Sequence, residues 1–351
     1  MSAALAELIA ARLASGPIPA AEVMALALYH PEYGYYRRAE GPWGFEGKDY
    51  YTALDCGPLL GEAVALRLEA AWEELGRPTP FTVMEAGAGR GWLGRDLLAA
   101  APEPFASSLR YLHRDDNPAA RRAAEEALAP WLATGQARLV SEAETLEPFV
   151  GAVISNELFD ALPAQPWRWS GEGWEREVLT AEGSAWQAAE PGEAGAWFSA
   201  QADLESGDGS VWAEGLPALA GALAGCLTQG LFLTIDYGDS AARLLAKGAD
   251  LRRYRGHSVD GDWGDSLGEA DLTADVDFTR LGAVLEIHGL AEISTRSLGR
   301  WIREHGPLAL WEAQWQELDA TLRMRRMENL LALTLPGMMG DRFKVMEAWR
   351  R

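Results

Sequence analysis

Short apolar runs alternate with helix-like stretches in the middle of the chain. The runs are FTVMEAG, LRYLHRD, ARLV and GAVISN, and apolar residues recur every three or four positions after Trp92 and from about Pro118 to Leu132. Such runs are typical of buried strands, and the three-to-four spacing is typical of amphipathic helices. Strands that alternate with helices form parallel sheets. The pattern therefore predicts an α/β fold with a mostly parallel twisted sheet and helices on both faces.

Helical periodicity also flanks this region. It covers about 2–14, 20–28 and 59–75 before the first strand, and 216–227, 277–290 and 301–333 after the last. LFLTIDYG, AEISTRSL and RFKVMEAWR predict further strands, PWRWSGEGWEREVL predicts a hairpin, and a polar loop is expected over about 239–273. We therefore expect two regions. Residues 1–78 form an N-terminal helical and loop region that covers the active site, and residues 79–351 form the core. The core has an inserted hairpin at about 165–180 and helical additions at about 239–275 and 300–334.

The charge balance narrows the range of partners. The chain has 351 residues, with 52 Asp and Glu against 31 Lys and Arg, and a net charge of −21. A negative surface repels phosphate backbones and anionic lipid, so we expect neither nucleic acid nor a membrane as a partner. A basic segment of a partner protein would be attracted, although the same charge also serves solubility alone.

The remaining composition favours a reducing compartment. Cys56 and Cys226 stand far apart among small or apolar residues, which indicates neither a disulfide framework nor a thiolate metal site. The opening MSAALAELIAARLASGP predicts an amphipathic helix rather than a signal peptide. The five histidines show no ligand spacing, so no metal site is expected. We expect a cytoplasmic location.

Three glycines stand at every second position directly after the first predicted strand of the sheet. VMEAGAGRGWLGRDLL contains Gly87, Gly89 and Gly91, where backbone amides can approach a nucleotide-like ligand closely because glycine has no Cβ. The dinucleotide fingerprint G-x-G-x-x-G would need a glycine in place of Trp92, so the sequence does not match that fingerprint. The pattern E-x-G-x-G-x-G from Glu85 instead resembles the first motif of class I methyltransferases that use S-adenosylmethionine. A purely structural turn is the alternative.

Asp115 ends the second predicted strand, 26 residues after Gly89. An acid that binds a ribose follows the second strand of such folds, and a carboxylate can accept from both ribose hydroxyls. Asp116 and Asn117 stand at the same helix start, so a helix cap is the alternative interpretation.

More acidic residues follow two other predicted strands. Asn156, Glu157 and Asp160 follow GAVIS, and Asp236 and Tyr237 end LTIDYG. Ligands bind outside the carboxyl ends of parallel strands, and grouped carboxylates there favour a cation such as a sulfonium or a guanidinium. We interpret Glu157 first, and then Asp160 and Asp236, as catalytic residues that orient a guanidinium and accept its proton late. Capping or solvent exposure is the alternative for Glu157 and for Asp160.

Several segments together resemble the MidA family. They are YHPEYGYY, GKDYYTALD with Gly61-Glu62 after it, EAGAGRGWLGRDLL, SNELFDALP, IDYG, LRRYRGH, DLTADVDF and GDRFKVM, which extend from about residue 29 to 346. The resemblance implies a Rossmann-like class I methyltransferase fold, S-adenosylmethionine as cofactor and arginine in a protein as substrate. Eukaryotic members of that family are mitochondrial complex I assembly factors with protein arginine methyltransferase activity.

The resemblance also implies residue roles by position. Cofactor-binding roles fall on Glu85, Gly87, Ala88, Gly89, Gly91, Asp115, Asn156 and Thr52. It further implies that Asn156 and Glu157 lie between cofactor and substrate, and that the loop around Asp49, Tyr51 and Thr52 closes over the site.

The chain departs from the family pattern at three places. Residues 54–58 lack the usual Thr-Ala-Pro-Glu run and Ser-Gln pair, Asp115 replaces a glutamate, and Asp275 replaces a histidine. The first and last of these bear on the substrate more than on the cofactor. The basic island LRRYRGH either recognises an acidic patch on a partner or pairs with nearby carboxylates.

These observations favour a protein arginine methyltransferase. Two alternatives stay open: an assembly factor or chaperone that binds a partner and keeps the cofactor pocket as a structural element, and a methyltransferase of small molecules. A dehydrogenase is disfavoured by the failed dinucleotide register, and nucleic-acid methylation by Asn-Glu-Leu-Phe after the fourth strand. The oligomeric state does not follow from the sequence.

Overall fold

The computed structural model describes residues 3–37, 53–255, 258–259, 263–264, 267–268 and 270–351. The strands are β1 (Ile18–Pro19), β2 (Phe81–Ala86), β3 (Leu109–Arg114), β4 (Ala137–Val140), β5 (Phe149–Asn156), β6 (Ala164–Trp169), β7 (Trp174–Thr180), β8 (Gly183–Ala188), β9 (Gly209–Ala213), β10 (Leu227–Asp239), β11 (Leu251–Arg255), β12 (Ser258–Val259), β13 (Asp271–Ala274), β14 (Val276–Asp277), β15 (Ala291–Ser297) and β16 (Phe343–Arg350).

The α-helices are α1 (Ala3–Leu13), α2 (Ala20–Tyr29), α3 (Leu59–Glu74), α4 (Trp92–Ala100), α5 (Phe105–Ser108), α6 (Pro118–Ala127), α7 (Ala129–Ala133), α8 (Glu193–Gln201), α9 (Leu216–Gly225), α10 (Ala241–Lys247), α11 (Phe278–Ile287), α12 (Leu298–His305), α13 (Leu308–Gln316), α14 (Ala320–Thr334) and α15 (Met339–Arg342). Short 3-10 helices form at Tyr35–Arg37 and Ala53–Cys56. Within the described residues, no helix combines the length and apolar character needed to cross a membrane.

The chain divides into two compact units, each made of three segments. The seven-stranded unit contains residues 52–158, 220–236 and 282–351, and the antiparallel unit contains residues 1–51, 159–219 and 237–281. Each unit takes residues from both sides of the boundary predicted between 78 and 79. The chain therefore passes between the units directly after Leu158 and again within β10.

The seven-stranded unit is built on a sheet with the order β15-β16-β10-β5-β2-β3-β4. Neighbours from β10 to β4 are parallel, and β15 and β16 are antiparallel. The strand β2 is almost entirely buried, because its sequence FTVMEA is apolar on both faces of the sheet. The chain order reverses between β2 and β5, which creates the switch point where open α/β sheets bind ligands. The predicted α/β fold is confirmed.

Helix α4 packs closely against this sheet through a glycine. A Cβ on Gly94 would lie 2.2 Å from the hydroxyl oxygen of Tyr111, a fully buried residue of β3. Helix α3 packs against α4 in the same manner, because a Cβ on Gly61 would lie 2.5 Å from the Cβ of Asp96. These close approaches fix α4, and with it the turn that precedes it, relative to the sheet.

The antiparallel unit has a sheet of its own. Its order is β1-β7-β6-β9, with β8 paired to β7, and a smaller sheet has the order β12-β11-β13. The predicted hairpin forms between β6 and β7, where Trp169 pairs with Trp174. Apolar residues of α1 and α2 supply much of the core, including Leu5, Val23 and Met24. The loop predicted over 239–273 is wrong in part, since that segment contains α10 and the antiparallel pair β11 and β13.

Candidate functional site

The glycine-rich turn connects β2 to α4. Gly87, Gly89 and Gly91 have φ values of +62°, +51° and +70°, a region that residues with a side chain rarely adopt. Gly91 is the residue before the first turn of α4. A Cβ on Gly87 would lie 2.8 Å from the Cδ1 atom of Leu158. The turn thus needs glycine for its backbone conformation, and a ligand can approach that backbone closely because glycine has no Cβ.

Asp115 contacts this turn from the end of β3. Its Oδ2 atom accepts from the N–H of Gly89 at 2.8 Å, and its Oδ1 atom accepts from the N–H of Asn117 at 2.7 Å. The cap of α6 is Asn117, whose side chain accepts from Ala119 and Ala120. A carboxylate has about four lone-pair sites, so each oxygen of Asp115 can accept one further donor.

Glu85 lies beneath the turn in the core. Tyr111 donates a hydrogen bond to the Oε2 atom of Glu85, and both side chains are buried. Burial raises the pKa of Glu85 to about 8, although the bond from Tyr111 acts in the opposite direction. Glu85 is therefore mostly protonated at neutral pH. The bond from Tyr111 joins β3 to β2 behind the turn.

Asn156 and Glu157 stand at the carboxyl end of β5, beside β2 in the sheet. The Nδ2 atom of Asn156 donates to the Oε1 atom of Glu157 at 3.0 Å. The Oδ1 atom of Asn156 is buried and has no hydrogen-bond partner among the described residues. Glu157 has a φ of +52°, a left-handed conformation that is uncommon for glutamate. Strain of this kind concentrates at functional sites.

Asp236 stabilises the segment that follows Asn156. The residue ends the part of β10 that belongs to the seven-stranded unit, and it is fully buried. Its Oδ2 atom accepts from the N–H of Leu158 at 3.1 Å, while the N–H of Glu157 donates to the carbonyl of Ile235 at 2.9 Å. The segment of β10 at Ile235 and Asp236 thus holds the strained backbone at Glu157.

Asp160 belongs to the antiparallel unit and lies among other charges there. Burial raises the pKa of its carboxyl to about 7, although Arg252 acts in the opposite direction. Arg252 donates from Nη2 to the Oδ1 atom of Asp275 at 2.6 Å, and Lys247 also pairs with Asp275. Arg252 of the basic island LRRYRGH therefore pairs with a carboxylate. That carboxylate belongs to Asp275, the residue that replaces the family's histidine.

The segment 54–58, which departs from the family pattern, contacts the glycine turn. Asp55, whose side chain is 1% exposed, accepts from the Nη2 atom of Arg90 at 3.2 Å. The guanidinium of Arg90 also lies 3.6 Å from the centre of the Trp92 ring. Asp49, Tyr51 and Thr52, which were predicted to cover the site, lie outside the described residues.

Two further carboxylates near the turn had no predicted role. Trp311 of α13 donates to Glu62 of α3, and Asp96 of α4 accepts from Arg95 at 2.8 Å. Burial raises the pKa of Glu62 and of Asp96, although Arg326 acts in the opposite direction on both. Glu62, Asp96 and Trp311 lie on three different helices and are far apart in sequence, so only the packing of α3, α4 and α13 reveals that they are close.

The predicted residues divide between the two units. The seven-stranded unit holds Glu85, Gly87, Ala88, Gly89, Gly91, Asp115, Asn156, Glu157 and Asp236, all at or just after the carboxyl ends of neighbouring parallel strands. Asp160 is in the antiparallel unit. In the part of the chain that the structure describes, no group of His, Cys, Asp or Glu side chains is placed to hold a metal ion.

The residues at the switch point fit S-adenosylmethionine. The glycines of the turn let a ligand approach the backbone closely, and Asp115 has lone pairs left for hydroxyls. Asn156 has a buried acceptor without a partner among the described residues. A pyrophosphate is not required by such a ligand, which agrees with the missing third glycine of the dinucleotide fingerprint. Fold and site together define a class I methyltransferase that uses S-adenosylmethionine.

Comparison with known proteins identifies the family. The chain belongs to the S-adenosyl-L-methionine-dependent methyltransferase family Methyltransf_28, the MidA or COG1565-like family, whose model matches residues 63–294. A COG1565 superfamily member from Burkholderia thailandensis, solved bound to S-adenosyl-homocysteine, is 27% identical with a TM-score of 0.87, and the match covers 99% of this chain and 92% of that one.

Curated relatives agree with this assignment. The "Protein arginine methyltransferase NDUFAF7 homolog, mitochondrial" of Drosophila melanogaster is 28% identical over 79% of this chain and 68% of its own length. The "Protein arginine methyltransferase NDUFAF7, mitochondrial" of Danio rerio is 25% identical over 95% of this chain and 83% of its own length. The predicted family and cofactor are confirmed.

Proposed function

We propose that the chain transfers a methyl group from S-adenosylmethionine to the guanidinium of an arginine in a partner protein. The backbone at Glu157 carries this proposal. A glutamate is kept in a left-handed conformation at the end of β5, and β10 supplies two hydrogen bonds that hold this segment. A conformation that costs free energy supports a functional reason for the glutamate.

S-adenosylmethionine supplies an activated methyl group, and the chain's own residues have the remaining tasks. The glycine turn, whose backbone the cofactor can approach closely because glycine has no Cβ, and the carboxylate of Asp115 would bind the cofactor. A guanidinium has a pKa above about 12, so it reaches the site protonated. Glu157 would accept N–H groups of that guanidinium, orient one nitrogen toward the methyl group and take up the proton as the new bond forms.

The neighbours of Glu157 have positioning tasks in this proposal. Asn156 donates to one carboxylate oxygen of Glu157 at 3.0 Å, which would hold that carboxylate in one orientation toward the substrate. Asp236 accepts from the N–H of Leu158 and so holds the backbone beside Glu157, and its catalytic role stays a prediction. The catalytic role of Asp160 and the cytoplasmic location stay predictions.

Two observations support arginine in a protein as the substrate class. The two curated relatives named above have protein arginine methyltransferase in their names. The net charge of −21 would attract a basic segment around a target arginine.

The test is methyl transfer by the purified protein to an extract of its own host that lacks the gene. Labelled S-adenosylmethionine is supplied, and labelled products are separated by mass and sequenced. We expect a labelled protein with methylarginine. The Glu157→Gln variant should transfer at least about 100-fold more slowly, because it loses the proton acceptor, while its affinity for S-adenosylhomocysteine by calorimetry stays unchanged. The exposed Glu147 provides the control, since Glu147→Gln should keep the wild-type rate.

Other outcomes would replace the proposal. Label on metabolites alone would identify a methyltransferase of small molecules. Cofactor binding without any labelled product would favour a factor that binds a partner and keeps the pocket as a structural element. Transfer at the full rate by Glu157→Gln would remove Glu157 from the chemistry.

A further inference from the structure

His113 binds the carbonyl of the central glycine of the turn. The residue lies on β3 and is fully buried. Its Nε2 atom is 2.8 Å from the carbonyl oxygen of Gly89. In the sheet His113 pairs with Glu85, so it reaches forward past the end of β2 to the turn.

The chemistry of this contact fixes the tautomer of His113. A carbonyl oxygen can only accept, so Nε2 must carry the proton. The Nδ1 atom is buried without a partner among the described residues, and burial lowers the pKa of the imidazole. His113 is therefore neutral at pH 7, with its proton on Nε2.

The end of β3 holds Gly89 at both of its backbone groups. His113 donates to its carbonyl, and Asp115 accepts from its N–H at 2.8 Å. Next to these, the N–H of Ala88 donates to the carbonyl of Arg114 at 3.3 Å. Three consecutive residues at the end of β3, the last two of the strand and the one after it, thus bind two consecutive residues of the turn.

The turn needs such contacts because its own sequence does not fix its peptide planes. Gly87, Gly89 and Gly91 can each reach several backbone conformations at little cost. In a trans peptide the carbonyl of Gly89 and the N–H of Arg90 point in opposite directions. A hydrogen bond that holds the carbonyl toward His113 therefore directs the N–H of Arg90 away from β3.

We propose that His113 is a positioning residue for S-adenosylmethionine, which holds the peptide between Gly89 and Arg90 in the orientation that the cofactor requires. It acts through the turn and touches neither cofactor nor substrate. The assignment rests on the cofactor alone and holds whether the methyl acceptor is a protein or a small molecule.

The test compares two substitutions of His113 by calorimetry with S-adenosylhomocysteine, which binds without reacting. His113→Leu keeps an apolar side chain of similar size but has no donor. His113→Gln offers an amide N–H at about the position of Nε2. We expect the Kd of the Leu variant to rise roughly ten-fold, the effect of one lost hydrogen bond, and that of the Gln variant to stay within about three-fold of the wild type.

A matched control separates binding from folding. His288 follows α11 and is exposed, so His288→Leu makes the same chemical change away from the turn. Its Kd should equal that of the wild type. Thermal unfolding of every variant without ligand, together with the binding stoichiometry, shows the folded fraction. An unchanged Kd for His113→Leu, or equal losses for Leu and Gln, would overturn the proposal, because the hydrogen bond would then not matter.

A measurement on the wild-type protein remains decisive if His113→Leu does not fold. Nuclear magnetic resonance of protein with ¹⁵N-labelled histidine distinguishes the two ring nitrogens. We expect the His113 ring to be neutral with its proton on Nε2 at pH 7, and the Nε2 proton signal to shift when S-adenosylhomocysteine is added. A proton on Nδ1, or a signal that ignores the ligand, would overturn the proposal.

Discussion

Arg67 and Glu347 form a buried ion pair through two parallel hydrogen bonds of 2.9 Å each. Their side chains are 9% and 7% exposed. Arg67 lies on α3 and Glu347 on β16, and Trp301 of α12 donates to the Oε1 atom of the same carboxylate at 2.8 Å. The two residues are 280 positions apart, so the pair joins β16 to a helix far earlier in the chain. It therefore holds α3, α12 and β16 together within the seven-stranded unit.

Removal of one partner of this pair should be strongly destabilising. Glu347→Gln leaves the guanidinium of Arg67 buried without its counter-charge, and we expect the free energy of unfolding to fall by about 3 kcal/mol. Double replacement by Arg67→Met and Glu347→Met removes both charges and should restore part of the loss. Urea unfolding of the single and double variants measures this. A double variant no more stable than Glu347→Gln would show that the hydrogen bonds, and not the unpaired charge, decide the effect.

The titration of Glu85 should make stability depend on pH. Its pKa is about 4.5 when unfolded and about 8 when folded, so the folded state binds more protons between these values. The free energy of unfolding should therefore fall as pH rises from 5 to 8, by up to about 1.4 kcal/mol per pH unit from this group. Glu85→Gln is neutral throughout and still offers an oxygen to Tyr111.

The difference between wild type and Glu85→Gln isolates this group. Asp160 has a pKa raised to about 7 and acts in the same direction, but both proteins contain it. Urea unfolding at pH 5, 6, 7 and 8 without ligand should show a wild type that loses stability relative to the variant as the pH rises. Parallel curves would mean that Glu85 is ionised in the folded protein at every pH tested.

The hydrophobic pattern predicts the seven-stranded unit well and the antiparallel unit poorly. The strand β2 is buried on both faces and reads as an apolar run. The strands β8 and β9, GSAWQA and GSVWA, have only short apolar stretches broken by glycine and serine, so no strand was predicted there. They are held by pairing with β7 and β6, which single-sequence periodicity does not show.

Long-range pairing also decides which site residues the sequence could reveal. Asp115 was found because its spacing from Gly89 is fixed by a strand, a turn and a helix. His113 was assigned no role, since a single histidine carries no pattern and its contact depends on the register of β2 and β3. Glu157 and Asp160 were grouped because they are close in sequence, yet the chain passes from one unit to the other between them.

A methyl group at position 94 should disturb the packing behind the glycine turn. The Cβ of Gly94→Ala would lie 2.2 Å from the hydroxyl oxygen of Tyr111, which is buried and bonded to Glu85. We expect a loss of about 2 kcal/mol in the free energy of unfolding, because a full core has no room for the extra atom. Gly225→Ala at the end of α9 is the control, since nothing lies within 4 Å of the added Cβ.

A second substitution shows whether the clash is with the tyrosine ring. Tyr111→Leu shortens the side chain, so in the Gly94→Ala background it should cost less stability than in the wild type. Thermal and urea unfolding of the four proteins give this comparison. Equal costs in both backgrounds would mean that α4 moves away from β3 instead.

The backbone at Glu157 should reveal a conflict between stability and activity. At a φ of +52° a side chain costs about 1 kcal/mol or more, which glycine avoids. Glu157→Gly should therefore be about 1 kcal/mol more stable than Glu157→Ala, although both lose the carboxylate and with it methyl transfer. The same pair of changes at Glu147, which is not among the residues with positive φ, should favour alanine or show no difference. Equal stability of the two variants at position 157 would show that the backbone there is not strained. Methyl transfer by Glu157→Gly would show that the carboxylate of Glu157 is not the reason why the strained conformation is kept.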